Sequence, residues 1–181
     1  TNNNKTKIML NSGNGGLLGA GISSSGAFVK NKFYYSLNGR YSSFDGLINN
    51  TFLNQKVDFS KEYNFRAKLK YKFNPRWSAT FVQDNFKVEA GGNYYVTKTD
   101  IFDSTIPVLA DDDYSSEPFG DVLGDSDLSN ALSSLKIEGS LENAKFQSVT
   151  SYNATRRYYI GENDYSQYAF SKVSQQSDSD T

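Results

Sequence analysis

The densest chemistry in the sequence is acidic: Asp111, Asp112 and Asp113 run together, and Glu117 follows in the stretch "ADDDYSSEP". Carboxylates this close can bind Ca²⁺ or a cationic ligand, because hard cations take oxygen donors. The spacing is not that of an EF-hand loop, so a solvated acidic loop is the simpler reading. A second set pairs aromatics with cations: Tyr94 and Tyr95 in "GGNYY", then Arg156 and Arg157 in "RRYYIGENDYSQY". Tyrosine rings can stack on a sugar or a chelate, and guanidinium groups pair with anionic oxygens. These residues are therefore the candidate ligand contacts, with membrane-interface anchoring as the competing role for the tyrosines. A third set is the basic stripe Arg66, Lys68, Lys70 and Lys72, with Arg40 in an earlier segment of the same kind. The sequence "GDVLGDSD" at 120–127 is too weak for a phosphate loop, since no strand-to-helix context surrounds it. Asn4, Asn49 and Asn153 sit in Asn-x-Ser/Thr triplets, which chance accounts for in a chain so rich in these residues.

Composition closes many mechanisms. The 181 residues contain no Cys and no His, so thiolate nucleophiles, imidazole bases, Ser-His-Asp triads and the usual zinc ligands cannot be drawn from them. No enzyme, metal centre or cofactor is expected. With 19 basic and 20 acidic residues there is no net field to recruit nucleic acid, and none is expected as a partner. Aromatics at 15% with only 3 Pro point to a β-rich chain.

The elements that must position these groups are strands. In "YNFRAKLKYKF" at 63–73, Phe65, Ala67, Leu69, Tyr71 and Phe73 alternate with Asn64, Arg66, Lys68, Lys70 and Lys72. A period of two sends the two sets to opposite faces of an extended chain. The same period runs through "KFYYSLNGRYS", "WSATFVQDNFKVE" and "SLKIEGSL", while "KFQSVTSYNATRRYY" is strand-like with ambiguous faces. "TKIML" and "GLLGAGISSSGAF" supply two more, making about seven strands. No apolar run approaches the roughly 18 residues of a spanning helix.

Connections alternate in length. Tight turns fall at "FVKNKF", "KFNPRW" and "SLENAKF", whereas long links run from about 44–61 and 90–130, and a third begins beyond Tyr159. A run of roughly 40 unpatterned residues fits poorly inside a compact soluble domain. Outer-membrane barrels combine short periplasmic turns with long extracellular loops, and their strands need about 9 to 11 residues to cross. Phe33, Tyr41, Phe73, Trp77 and Tyr152 are expected near strand ends, as in an interfacial girdle. The expected fold is an all-β antiparallel transmembrane barrel fragment. Arg40, Arg66, Lys68 and Lys70 would face its lumen.

The order of these features resembles the barrel of TonB-dependent outer-membrane receptors just after the plug. The residues that carry the resemblance are "GLLGAGISSSGAF", the hairpin into "KFYYSLNGRYSSFDGLINN", Asp45-Gly46, Arg66 in its strand, Pro75 in its turn and "QSVTSY". The resemblance implies residues 1–181 as part of the wall of a larger receptor in the outer membrane of a Gram-negative bacterium. It also implies uptake of a scarce solute, such as a ferric siderophore, a cobalamin or an oligosaccharide. The plug and the TonB energy-coupling complex would be partners through other parts of the protein, outer-membrane lipid would surround it, and the chain reads as an internal segment. A passive diffusion porin and a soluble all-β carbohydrate-binding module are the alternatives.

Overall fold

The computed structural model describes residues 2–92 and 117–181. Among them are β1 (Lys5–Gly13), β2 (Leu17–Val29), β3 (Phe33–Phe44), β4 (Asn49–Asn50), β5 (Gln55–Lys56), β6 (Ser60–Lys72), β7 (Trp77–Ala90), β8 (Asp125–Ser140), β9 (Lys145–Glu162) and β10 (Lys172–Asp180), with no helix. Eight form one antiparallel sheet in the order β1-β2-β3-β6-β7-β8-β9-β10. The short pair β4-β5 forms a separate hairpin. Every neighbour in the large sheet is the next of its strands in the chain, so each connection is a simple return. β1 and β10 are the two edges, and the sheet does not close on itself.

Register decides the faces, because residues directly opposed across a ladder share one. Tyr35 lies opposite Leu69, and Phe33 opposite Tyr71. Leu69 lies opposite Phe81, which lies opposite Leu135. Ile8 opposes Ile22 on the far side. One face is thus apolar from β1 through β8. The other carries Arg66, Lys68 and Lys70 opposite Asn38, Ser36 and Tyr34. Arg40, opposite Asn64, joins that face. Its cations are tied to neighbouring strands: Arg66 Nη1 is 3.6 Å from Asp84, and Lys70 Nζ reaches over β7 to Glu138 at 3.6 Å. Thr80 of β7 is buried beneath that reach.

The strands are long: β6 has 13 residues, β7 14, β8 16 and β9 18, against a typical strand of about 5–6. Turns at 30–32, 73–76 and 141–144 close one end of the sheet, as expected from the sequence. In the second, the Asn74 side-chain oxygen accepts from the Arg76 and Trp77 amides at 2.8 and 2.9 Å, which folds the chain back before Pro75 can extend it. Along this end the apolar face carries an aromatic row. Phe28 stacks on Tyr35 at 4.4 Å, Phe33 meets Tyr71 at 6.0 Å, Tyr71 meets Phe73 at 5.2 Å, and Trp77 meets Phe146 at 5.9 Å.

Several expectations need correction. There are ten strands among the described residues rather than about seven. The link expected over 44–61 contains the β4-β5 hairpin and ends where β6 begins at Ser60. The link expected to reach 130 ends at Asp125, where β8 starts. Beyond Tyr159 there is no long loop: β9 continues to Glu162, and after 163–171 the chain returns as β10. These stretches carry few large apolar residues, only Leu128 and Leu132 in "DSDLSNALSS" and Val173 in "KVSQQSDSD", so no strict alternation marks them. Their ladders to β7 and β9 hold them extended instead. Tyr152 lies inside β9, not at a strand end.

Trp77 opposes Gly139, and a Cβ on that glycine would come 2.6 Å from the indole. The ring covers the glycine. Gly139→Val in the complete protein should therefore displace Trp77, cost about 1–3 kcal/mol, and shift the emission of the chain's only tryptophan. Gly21→Ala, whose new methyl would meet the flexible end of Met9 at 3.3 Å and the Gly39 carbonyl oxygen at an ordinary 3.5 Å, should leave both emission and stability nearly unchanged.

Candidate functional site

The opposite end of the sheet gathers the longer connections, and there the burial is polar. The Asp58 carboxylate accepts the Leu47 and Ile48 amides at 2.9 and 2.8 Å, pinning the approach to the β4-β5 hairpin. Asn50, the last residue of β4, is 1% exposed. Its oxygen accepts from the Phe52 and Leu53 amides at 3.0 and 2.8 Å, and its nitrogen donates to Gly120 O at 2.8 Å. The Thr51 amide donates to Pro118 O at 2.8 Å. The hairpin is thereby fastened to the segment that leads into β8. At Gly91 a Cβ would fall 1.8 Å from the Val57 carbonyl oxygen, so only glycine permits that approach.

On the other side of 117–124 stands a carboxylate cluster. Asp121, Glu162 and Asp164 each place an oxygen within 4.8 Å of the others. Glu162 closes β9 and is 3% exposed; Asp164, in the turn to β10, is 1% exposed. Asp164 accepts the Ser171 amide at 2.8 Å and the Ser166 amide at 3.1 Å, so its carboxylate shapes the turn from within. The Asp121 amide donates to Ser166 O at 3.0 Å and to Glu162 Oε1 at 3.3 Å. Burial, together with hydrogen bonds to Asp164 and Asp121, pushes the Glu162 carboxyl up to about 8. At neutral pH it keeps its proton, which it can share with either neighbour. The same oxygens form the kind of donor set that hard cations take.

The residues singled out from the sequence do not converge here. Arg156 and Arg157, expected where a loop starts, lie inside β9, opposite Asp178 and Ser177 of β10. Being consecutive in a strand, they point to opposite faces, so they cannot act as one double-arginine site. Arg156 is on the apolar face and Arg157 on the basic one. Tyr94, Tyr95, Asp111, Asp112 and Asp113 lie outside the described residues. Arg40, Arg66, Lys68 and Lys70 share one face, as expected, and at least two of them are engaged in ion pairs or reach across the sheet as described above. Glu162 and Asp164 went unnoticed because their partner Asp121 is 41 residues from Glu162 in the chain. Only the sheet brings them together. The single local signal is a glycine beside each element of the cluster, at Gly120 and Gly161. At Gly120 a Cβ would strike the Glu162 carboxylate.

Since the folded protein raises the Glu162 pKa above its usual 4.5, it binds this proton more tightly than the unfolded chain does. The associated stabilisation is complete below about pH 4.5, declines as pH rises and is gone above about pH 8. Amides of Asp121 and Ser171 should lose hydrogen-exchange protection over that window, after correction for the intrinsic rate. Glu162→Gln, which cannot ionise, should flatten the dependence. Compared with known proteins, the chain matches no family model, no curated protein and no solved structure.

Proposed function

We propose that this sheet is a stretch of the wall of a transmembrane β-barrel in an outer membrane, and that the barrel belongs to an active-transport receptor. The observation that carries the membrane reading is the absence of a core. Among the described residues the only fully buried hydrophobic side chain is Val57, which lies in a loop connection and not in the large sheet. Ile8, Leu10, Phe65, Phe73, Phe81, Leu135 and Phe146 remain exposed on the apolar face. A soluble sheet would cover such a face with a second layer; lipid covers it in a barrel.

Further features agree with this reading. The aromatic row at the short-turn end sits where an interfacial girdle belongs. The basic face, with its cross-strand ion pairs, suits a wet interior. The strands of 13 to 18 residues exceed the 9 to 11 that cross hydrocarbon, so they would carry the longer connections clear of it. The order of strands, Asp-Gly loop, Arg-containing strand and Pro-containing turn supports the TonB-dependent receptor over a porin. In that role the chain supplies wall and loops and performs no catalysis. The solute would be scarce, a ferric siderophore, a cobalamin or an oligosaccharide, and the energy would come through a plug contributed by other parts of the protein.

The two faces of β6 give the test. In the complete protein, Leu69→Arg places a charge on the lipid face and should cost roughly 2–4 kcal/mol if the position lies near mid-membrane. Lys68→Ala should change stability little. Cysteines introduced at Phe52 and Pro75 should label from opposite sides of the membrane in intact cells. If Lys68→Ala is the more damaging change, or if an impermeant reagent labels both cysteines, the membrane reading fails.

A further inference from the structure

The face opposite the apolar one carries a surplus of positive charge, and the register makes it explicit. In five successive rows Arg40 opposes Asn64, Arg66 shares its row with Lys7 and Asp84, Lys68 with Lys5, Lys70 with Lys136, and Lys72 with Glu138. Eight basic side chains therefore share this part of the face with two carboxylates. Asp84 is 3.6 Å from Arg66, while Glu138 is divided between Lys136 at 2.8 Å and Lys70 at 3.6 Å. These contacts ease the repulsion within β6 and leave the rows of Arg40 and of Lys5 and Lys68 with no carboxylate. Lys72 lies 5.5 Å from the centre of the Tyr34 ring, a contact that does not cancel its charge. The acids of β10 do not help, since Asp178 and Asp180 oppose Arg156 and Ala154 on the other face. At the short-turn end Lys30, Lys32, Arg76 and Lys145 outnumber Glu142. Within this field the face is hollowed into a groove of about 640 Å³, whose lining includes Ser25, Tyr34, Ser36, Lys68, Lys70 and Lys72 and, among the described residues, no carboxylate. Lys68 and Lys72 are exposed.

We propose that this groove receives a compact solute bearing several anionic groups, carboxylates or phosphates, on its way along the wet face. The inference rests on the transport reading above and narrows it: of the solutes that reading allows, it selects those with several acidic groups. Lysines two residues apart on one face are about 7 Å apart at the backbone, and their flexible stems let the ammonium groups converge on one molecule. A solute with a single charge would engage one of them and leave the rest unmatched; a neutral sugar would engage none. The hydroxyls of Ser25, Ser36 and Tyr34 add donors between the cations. A hollow of this size encloses a small ligand, whereas a broad acidic protein surface would span it and leave it unfilled. The surplus also draws anions in from a distance, because like charges along a low-dielectric wall sum their fields.

The test uses the complete protein purified in neutral detergent, with binding followed by titration calorimetry at low ionic strength. The probe is myo-inositol hexakisphosphate, compared with inorganic phosphate and with myo-inositol. The hexakisphosphate should bind at least about tenfold more tightly than inorganic phosphate, the difference expected of one further charge-assisted contact. Its binding should weaken as salt is added, and myo-inositol should not bind. The double variant Lys68→Gln, Lys72→Gln should lose about tenfold in affinity for the hexakisphosphate, and Lys68→Arg, Lys72→Arg, which keeps the charge, should not. Lys61→Gln, Lys87→Gln on the opposite face should bind as the parent does. The inference is overturned if the hexakisphosphate binds no better than inorganic phosphate, or if its binding survives the Lys68→Gln, Lys72→Gln change. It is also overturned if polyglutamate binds where the hexakisphosphate does not, since the occupant would then be a broad acidic chain. A complete protein that stays monodisperse without detergent overturns the membrane reading itself; one that needs detergent and binds no polyanion overturns this inference alone.

Discussion

Everything in this molecule depends on a sheet whose backbone is satisfied but whose apolar side is not. Consecutive strands pair over most of their length, so backbone donors and acceptors inside the sheet find each other without outside help. Yet the side chains that such pairing sets on one face have no second layer to enter. In water this leaves the hydrophobic contribution to folding largely unused, and ladder hydrogen bonds alone offset little of the conformational entropy lost in ordering long strands. The membrane reading proposed above would answer that imbalance with an apolar solvent on one side. In such a solvent the edges at β1 and β10 would have to be paired by further strands, because unpaired edge groups are tolerated in hydrocarbon only when a barrel closes.

The opposite face has another economy. Arg66 meets Asp84 across one ladder, and Lys70, opposite the buried Thr80, meets Glu138 across two. Ion pairs this exposed contribute little to stability each. Their effect is to keep a dense row of cations from repelling itself, so that the strand can carry four basic residues in succession on one side. The apolar requirement of the first face and the charge matching of the second are fixed by the same register. A slip of one residue would exchange the two faces and violate both at once.

What could be read from the sequence follows from where alternation is strong. β6 was legible because Phe65, Ala67, Leu69 and Tyr71 alternate with charges, and the turn at Asn74-Pro75 was legible from residue type alone. The first half of β8 and all of β10 were not, because Leu128 and Leu132 are the only large apolar residues in the one and Val173 in the other, too few to mark a face by alternation. There the neighbouring strand, rather than the residue pattern, dictates the conformation. The double arginine misled for a related reason: the strand continues past the end of its apolar stretch, and two adjacent residues that look like one site are sent to opposite faces. The carboxylate cluster could not be read at all, since Asp121 and Glu162 belong to segments that only the completed sheet brings together.

These two failures locate a division along the strands themselves. Near the short turns the face is aromatic and aliphatic; beyond the row of Phe81 and Leu135 the same face turns to Gln83, Asn85, Lys87 and Ser129 on β7 and β8, while β1 to β6 stay apolar further up. The apolar boundary therefore runs obliquely to the hydrogen-bonded rows. Strands in a barrel are tilted by about 35–45°, so a band level with the membrane must cut the rows at such a slant. In the proposed barrel the same slant would account for the 18 residues of β9, which leaves the apolar band early and still reaches the polar assembly around Asn50, Asp121 and Glu162. In the proposed barrel, the length of the strands, the slant of the band and the separation of the polar loop body from the wall would be one geometric consequence of tilt.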